Sequence, residues 1–327
     1  MLLLLTEADV RELLNMPLAL EAVENVFRRL ADGAALVHPR RRLHLEGFSY
    51  LHYMAAVDGA GGYEGLKIYT SSRHGLRFIL PLFRAKTGEL VAIIEASYLG
   101  QMRTGAATGL ATKLLAREGA KTVGIIGTGL QARTQLEAIV AVRKIERIYA
   151  FGRDANRREA FAREMTAALS VPVKAAATAE ALVREAEILV TATTAKEPVV
   201  KGSWIQHGTH INAIGANFPQ NRELDSDTVA RADAIFVDSC EQSKMEAGDL
   251  IHAFRENPNR WDDVKELAQL VGGKIAGRTS REQITLFKSN GIAIQDITTA
   301  GRVYELALQR NVGKRVNFWG EDEARTA

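Results

Sequence analysis

At 327 residues, 46% hydrophobic and 25% charged, the chain has the make-up of a globular protein long enough for two domains. Its 42 basic and 39 acidic residues leave a formal charge of +3, which excludes a field strong enough to seek nucleic acid or a membrane surface and points to a small substrate. One cysteine, Cys240, cannot close an internal disulfide, so a reducing compartment, the cytoplasm, is expected.

The apolar run Leu2 to Leu5 falls short of the roughly 7–15 residues of a signal-peptide core, has no basic flank, and is followed by Glu7 and Asp9. Thr6, with Asp9 three residues on, predicts a helix N-cap ahead of Val10, Leu13 and Leu14. A second amphipathic helix is predicted around LALEAVENVFRRLADG. No stretch reaches the ~18 apolar residues of a membrane span.

From about Arg40 to Ala96, short alternating runs predict a mostly antiparallel sheet. In RRLHLEG, Leu43 and Leu45 share parity with Arg41, so Arg41 is expected to point inward and Arg42, His44 and Glu46 outward. A strand, an irregular stretch and a small-residue helix follow in LVAIIEASYLGQMRTGAATGLATKLLAREGAK, and a new domain is expected to begin near Lys121. Beyond it TVGIIG, RIYAF, VPVKAA and EILVTAT alternate with helical segments, with further strands at THINAIG and AIFVD. This βαβαβ order predicts an α/β fold, a doubly wound parallel sheet of Rossmann type. The closing segment, ITLFKSNGIAIQDITTAGRVYELALQRNVG, reads as a strand, a turn and a long helix that packs back on the first domain. The expected domains are therefore 1–118 with 297–327, and 119–296.

Gly127-Thr128-Gly129-Leu130-Gln131-Ala132 fits G-x-G-x-x-G/A between a strand and a helix. Gly127 permits the tight turn, Gly129 lets a pyrophosphate approach, and Ala132 lets helix and strand pack, with the phosphates on the helix N-terminus. The competing reading is a glycine turn in an unliganded domain, which the βαβ context disfavours. Where a ribose-binding acid is expected, the chain has Gly152 and Arg153, with Asp154 one step later. Arg153, helped by Arg157 or Arg158, suits a 2′-phosphate and favours NADP; Asp154 turned to the ribose would suit NAD.

Three cations lie in apolar or small-residue text outside the nucleotide domain: Arg41, Lys67 in YEGLKIYTSS, and Arg103 in GQMRTGAATG. Charges so placed are costly unless paired, and a surface cation whose stem covers apolar area is the bland reading of each.

PRRRL, GLKIYT, TGELVAIIEASYLGQMRTGAATGLATKLLAR, VGIIGTGLQARTQLEAI, GTHINAIGANFPQNRELD and QITLFKSNGIAIQD occur in an order that resembles the ornithine cyclodeaminase/mu-crystallin family over nearly the whole chain. The family includes archaeal-type alanine dehydrogenases and ketimine reductases. The resemblance implies a Rossmann-type domain plus a discontinuous α/β dimerisation and substrate domain, and a homodimer. It places Arg41, Lys67 and Arg103 at substrate-carboxylate and catalytic positions and Thr104 at a cofactor phosphate; Arg42 competes for the Arg41 role, although strand parity argues against it. Cofactor contacts are further expected from the 127–132 turn, from Gly152, Arg153 and Asp154, and from Thr193, Ala213, Gly215, Ser289 and Gly291.

The cyclodeaminases, and several alanine dehydrogenases, carry an aspartate after AIGA where this chain has Asn217, assigned here to the substrate. Met54 stands at about the place of a cyclodeaminase glutamate. An amide cannot take a proton or balance an ammonium, so both departures argue against cyclising ornithine.

The expected chemistry is NAD(P)-dependent interconversion of an imino acid, either a 2-imino acid or a cyclic ketimine, and a small L-amino acid. Arg41 and Arg103 would hold the carboxylate, and Lys67, its pKa lowered by burial and arginines, would relay a proton. Asp296 would orient Lys67 or cap the last helix. The alternatives are an ornithine cyclodeaminase releasing ammonia and forming proline, and a non-catalytic NADPH-binding protein of crystallin type. Arg73 and His74 are expected in an exposed turn rather than on a second carboxylate. His207 and His210 lack a third ligand, so no metal is assigned.

Overall fold

The computed structural model describes residues 1–318, so the last nine positions of the expected first domain lie outside the described residues. The chain divides into two units, Met1–Arg103 with the segment from Ile292 onward, and Thr104–Gly291.

In the first unit, Leu2–Leu5 (β1) is a strand, a pairing its four leucines did not announce. Thr6 ends it and caps Glu7–Leu13 (α1), with the Asp9 carboxylate returning to the Thr6 backbone N–H at 2.8 Å. Asn15 caps Met16–Ala31 (α2), which buries Ala19, Val23, Val26 and Phe27 on one stripe. Five strands follow: Ala35–Leu43 (β2), Tyr50–Asp58 (β3), Tyr63–Ser72 (β4), Gly75–Arg84 (β5) and Leu90–Glu95 (β6). They pair antiparallel in succession, and β1 adds parallel to β6. Ser97–Leu115 (α3) follows as one helix, and the division between the units falls within it, at Thr104.

The second unit alternates as the parallel-sheet reading requires. Its elements are Thr122–Ile126 (β7), Leu130–Val142 (α4), Arg147–Phe151 (β8), Ala155–Leu169 (α5), Val173–Ala175 (β9), Ala179–Glu185 (α6), Ile188–Thr191 (β10) and His210–Ala213 (β11). Ser226–Ala230 (α7), Ala234–Val237 (β12), Cys240–Glu246 (α8), Gly248–Ala253 (α9), Lys265–Glu266 (β13), Leu267–Val271 (α10) and Thr285–Lys288 (β14) complete it. The eight strands are all parallel in the order β13-β12-β14-β11-β10-β7-β8-β9. The order reverses between β7 and β10, the switch point at which doubly wound sheets bind ligands.

The chain then returns to the first unit with Ala293–Arg310 (α11), which lies across one face of β2 to β5, and Lys314–Val316 (β15), which pairs with β1. Among the described residues no helix is long and apolar enough to cross a membrane.

Candidate functional site

Strand β4 turns alternate residues Gly65, Lys67 and Tyr69 to the face covered by α11, and Lys67 is 3% exposed there. A buried ammonium needs an acceptor. Asp296, in the first turn of α11 and fully buried, supplies Oδ1 at 2.6 Å from Lys67 Nζ. The same oxygen accepts from Arg103 Nε at 3.0 Å, and Arg103 Nη1 donates to Gln295 Oε1 at 2.9 Å. One carboxylate thus fixes two cations delivered by different elements. Its Oδ2, also buried, has no hydrogen-bond partner among the described residues. Asp296 does not act as the side-chain cap of α11, whose N-cap is Ile292.

Burial pushes the Lys67 ammonium down to about 8; Asp296 resists the shift, while Arg103 and Arg40 add to it. Gly100 on α3 makes the arrangement possible, because a Cβ there would stand 2.8 Å from Lys67 Nζ.

The expectation that Arg41 points inward is corrected. Arg41 is exposed and pairs with Tyr53 on the outer side of the sheet, whereas Arg40 is 4% exposed and Arg42 pairs with His52 on the inner side. The register shifts between His38 and Arg41, so Pro39 and Arg40 both lie opposite Met54 and the parity beyond them reverses. Pro39 was the available signal, since proline inside a strand marks edges and bulges. Leu43 and Leu45, the guides to parity, are themselves 60% and 68% exposed.

Next to that row the inner face carries stacked rings. His52 lies 4.2 Å from Tyr69, Tyr69 lies 4.9 Å from Phe78, and Lys67 Nζ stands 5.1 Å over the Phe78 ring. Burial, then Arg42 and Arg40, hold the His52 imidazole neutral, down to about 4. Sequence reading missed Arg40, Gln295, Gly100 and this ring wall. Arg73 and His74 form the exposed tip of the β4–β5 hairpin.

In the second unit the glycine turn has the features a pyrophosphate needs. Gly127 adopts φ +113, where an added Cβ would meet the Ala192 carbonyl at 2.3 Å. Gly129 is the N-cap of α4, makes no side-chain cap bond, and has open space around its missing Cβ. Leu130, Gln131 and Ala132 begin that helix, so their backbone N–H groups are the donors an anion would take. Thr128 packs against Gly152 at the end of β8, and Arg153 and Asp154 follow, both exposed. The Asp154 carboxylate accepts from Arg157 N at 3.0 Å as the cap of α5.

Thr193, Ala213 and Gly215 lie at or just beyond the ends of β10 and β11, and Asn217 follows on the same loop. Ser289 and Gly291 follow β14, where Asp238 accepts from Ser289 Oγ at 2.7 Å and from Gly291 N at 2.8 Å. Thr104 is buried on α3. His207 is exposed while His210 is fully buried between Thr285 and Asn212, so the two do not converge. Among the described residues no cluster of metal-ligating side chains occurs.

Residues 2–311 match the model of the ornithine cyclodeaminase/mu-crystallin family. A delta(1)-pyrroline-2-carboxylate reductase of Bacillus cereus is 43% identical over 241 residues, 73% of this chain and 74% of that protein. The structure of Thermococcus litoralis delta(1)-pyrroline-2-carboxylate reductase in complex with NADH and L-proline is 38% identical, covers 96% of this chain and 100% of its own, and superimposes with a TM-score of 0.93. An archaeal alanine dehydrogenase dimer with bound NAD is 36% identical, covers 97% and 99% respectively, and gives a TM-score of 0.92. With the glycine turn, the buried lysine–aspartate–arginine cluster and matches over almost all of its length, the chain belongs to the ornithine cyclodeaminase/mu-crystallin family.

Proposed function

We propose that the protein is an NAD(P)-dependent reductase of imino acids, converting a 2-imino acid or cyclic ketimine to the corresponding small L-amino acid. The observation that carries the reading is the buried cluster in which Asp296 holds both Lys67 and Arg103. A bound reduced nicotinamide supplies a hydride to the imine carbon. The protein's task is to hold the substrate carboxylate and keep the nitrogen protonated, because an iminium carbon is the better acceptor.

Arg103, fixed at Nε and Nη1, keeps Nη2 for the carboxylate, and Arg40 replaces Arg41 as its partner. Lys67, with its pKa brought down to about 8, holds or gives a proton at Nζ. Asp296 orients Lys67 through Oδ1, and its second oxygen is suited to accept from the substrate N–H. Tyr69 and Phe78 offer a flat apolar wall to the rest of the substrate.

Because Asp154 is engaged as a helix cap, the exposed Arg153 at the end of β8 supports a preference for NADP over NAD. A homodimer in the cytoplasm is part of the reading, supported by the apolar outer side of the first unit's sheet and by the single cysteine. The test is a screen of imino acids with NADH and NADPH, followed by absorbance. Lys67→Met should abolish turnover with coenzyme binding unchanged, and retained activity would remove Lys67 from the chemistry.

A further inference from the structure

In the second unit, Glu223 lies in the loop after Asn217, within a segment that carries the family resemblance but with no role assigned above, and it is fully buried. A carboxylate taken out of water needs several donors to compensate, and Glu223 has five. Oε1 accepts from Thr193 N at 2.7 Å and Thr193 Oγ1 at 2.8 Å. Oε2 accepts from Thr191 Oγ1 at 2.9 Å, Gly215 N at 2.7 Å and Ala216 N at 3.3 Å.

These donors belong to the two chain segments that leave the carboxyl ends of β10 and β11. The segments approach so closely that a Cβ on Gly215 would stand 2.2 Å from the Thr193 carbonyl. The ring closes behind the carboxylate. Asp249 Oδ1 accepts from Glu223 N at 2.7 Å, Asp249 Oδ2 lies 3.0 Å from Lys288 Nζ, and Lys288 Nζ donates to the Ala216 carbonyl at 2.6 Å. All three charged side chains are at most 1% exposed.

In a doubly wound sheet a dinucleotide straddles the switch point, with its adenosine half over the first two strands and its nicotinamide half over the strands beyond. Here the first half falls on β7 and β8 and the second on β10 and β11, and Glu223 touches only the second. We propose that Glu223 is a positioning residue that clamps the β10 and β11 loops into one rigid bed for the nicotinamide half of the coenzyme, with Lys288 and Asp249 bracing it. The proposal rests on the coenzyme reading above. Three of the five donors are backbone N–H groups, which cannot reverse to accept, so an amide in place of the carboxylate turns a donor toward at least one of them.

The test compares ligands that share the adenosine half. Wild type and Glu223→Gln are titrated with NADPH, NADH and ADP-ribose, with single-turnover reduction measured beside them. Glu223→Gln should weaken the reduced coenzyme at least tenfold and slow single turnover at saturating coenzyme, while ADP-ribose affinity stays within twofold. Equal loss of all three ligands, or no loss of any, overturns the proposal. Thr191→Val, which removes one hydroxyl donor and leaves the other four bonds to the carboxylate, should show the same selectivity more weakly and decides the matter if the glutamine variant does not fold. Failure of the wild type to bind any dinucleotide would overturn the functional reading instead.

Discussion

Lys67 and Asp296 share one short contact, and their energies are coupled through it. A lysine that titrates near pH 8 donates a proton freely below that pH and loses it above, so the reductive rate should fall about tenfold per pH unit on the alkaline side of 8. The oxidative direction, which needs the neutral amine, should rise over the same range. Asp296 raises the Lys67 pKa against burial, so Asp296→Asn should move the alkaline limb to lower pH. It should also cost about 3–5 kcal/mol of stability, because two buried cations lose their shared partner. Urea unfolding and a pH–rate profile separate the two effects, and an unmoved limb would show that Asp296 does not set the lysine. Gly100→Ala tests geometry alone. Its Cβ would stand 2.8 Å from Nζ, and displacing the ammonium by about 1 Å is expected to lower kcat on the order of 100-fold with little change in melting temperature.

At the scale of elements, β7 and α4 were legible because an apolar strand, a glycine turn and a helix leave three successive signals in ten residues. Strand β2 was misread for an equally specific reason. Parity carries through a strand only while the ladder is regular, and the bulge at Pro39 and Arg40 transferred the inward position from Arg41 to its neighbours. The place of β14 between β11 and β12 was not legible either, since these strands are buried on both faces and read alike, leaving the crossovers to choose the order. Glu223 left no signal of its role, which emerges only when loops distant in sequence meet. Strand β11 also carries a pH-sensitive group. Burial, helped by Arg278, holds His210 neutral, its pKa down to about 3, with Nδ1 beside Thr285 Oγ1 and Nε2 beside Asn212 Oδ1. The unfolded chain takes up this proton near pH 6.5 and the folded chain does not. Stability from His210 is therefore complete above 6.5 and declines by about 1.4 kcal/mol per unit below it, down toward 3. Urea unfolding at pH 7, 6 and 5 should show that slope in the wild type and a shallower one in His210→Gln.

For the molecule as a whole, the two faces of the first unit's sheet pose opposite problems. The inner face is covered by α11 and holds the charged cluster; the outer face presents Leu36, Leu43, Leu51, Tyr53, Val57 and Ile79, each at least 36% exposed. These six large apolar side chains on β2, β3 and β5, with the half-buried Ile68 of β4 between Tyr53 and Ile79, form a patch that a soluble monomer rarely leaves in water. A second copy of the same face is the simplest cover, since a two-fold axis makes the patch its own complement. The wild type should therefore be a dimer by light scattering, and its unfolding midpoint should rise with protein concentration. Leu43→Lys with Ile79→Lys places like charges across that axis and should give a monomer whose midpoint no longer depends on concentration. Since neither side chain touches Lys67, Asp296 or Arg103, the monomer should keep the alkaline limb near pH 8 even where its activity is lower. A wild type that sediments as a monomer at all concentrations would leave the outer face without this role, and the double variant would then change solubility alone.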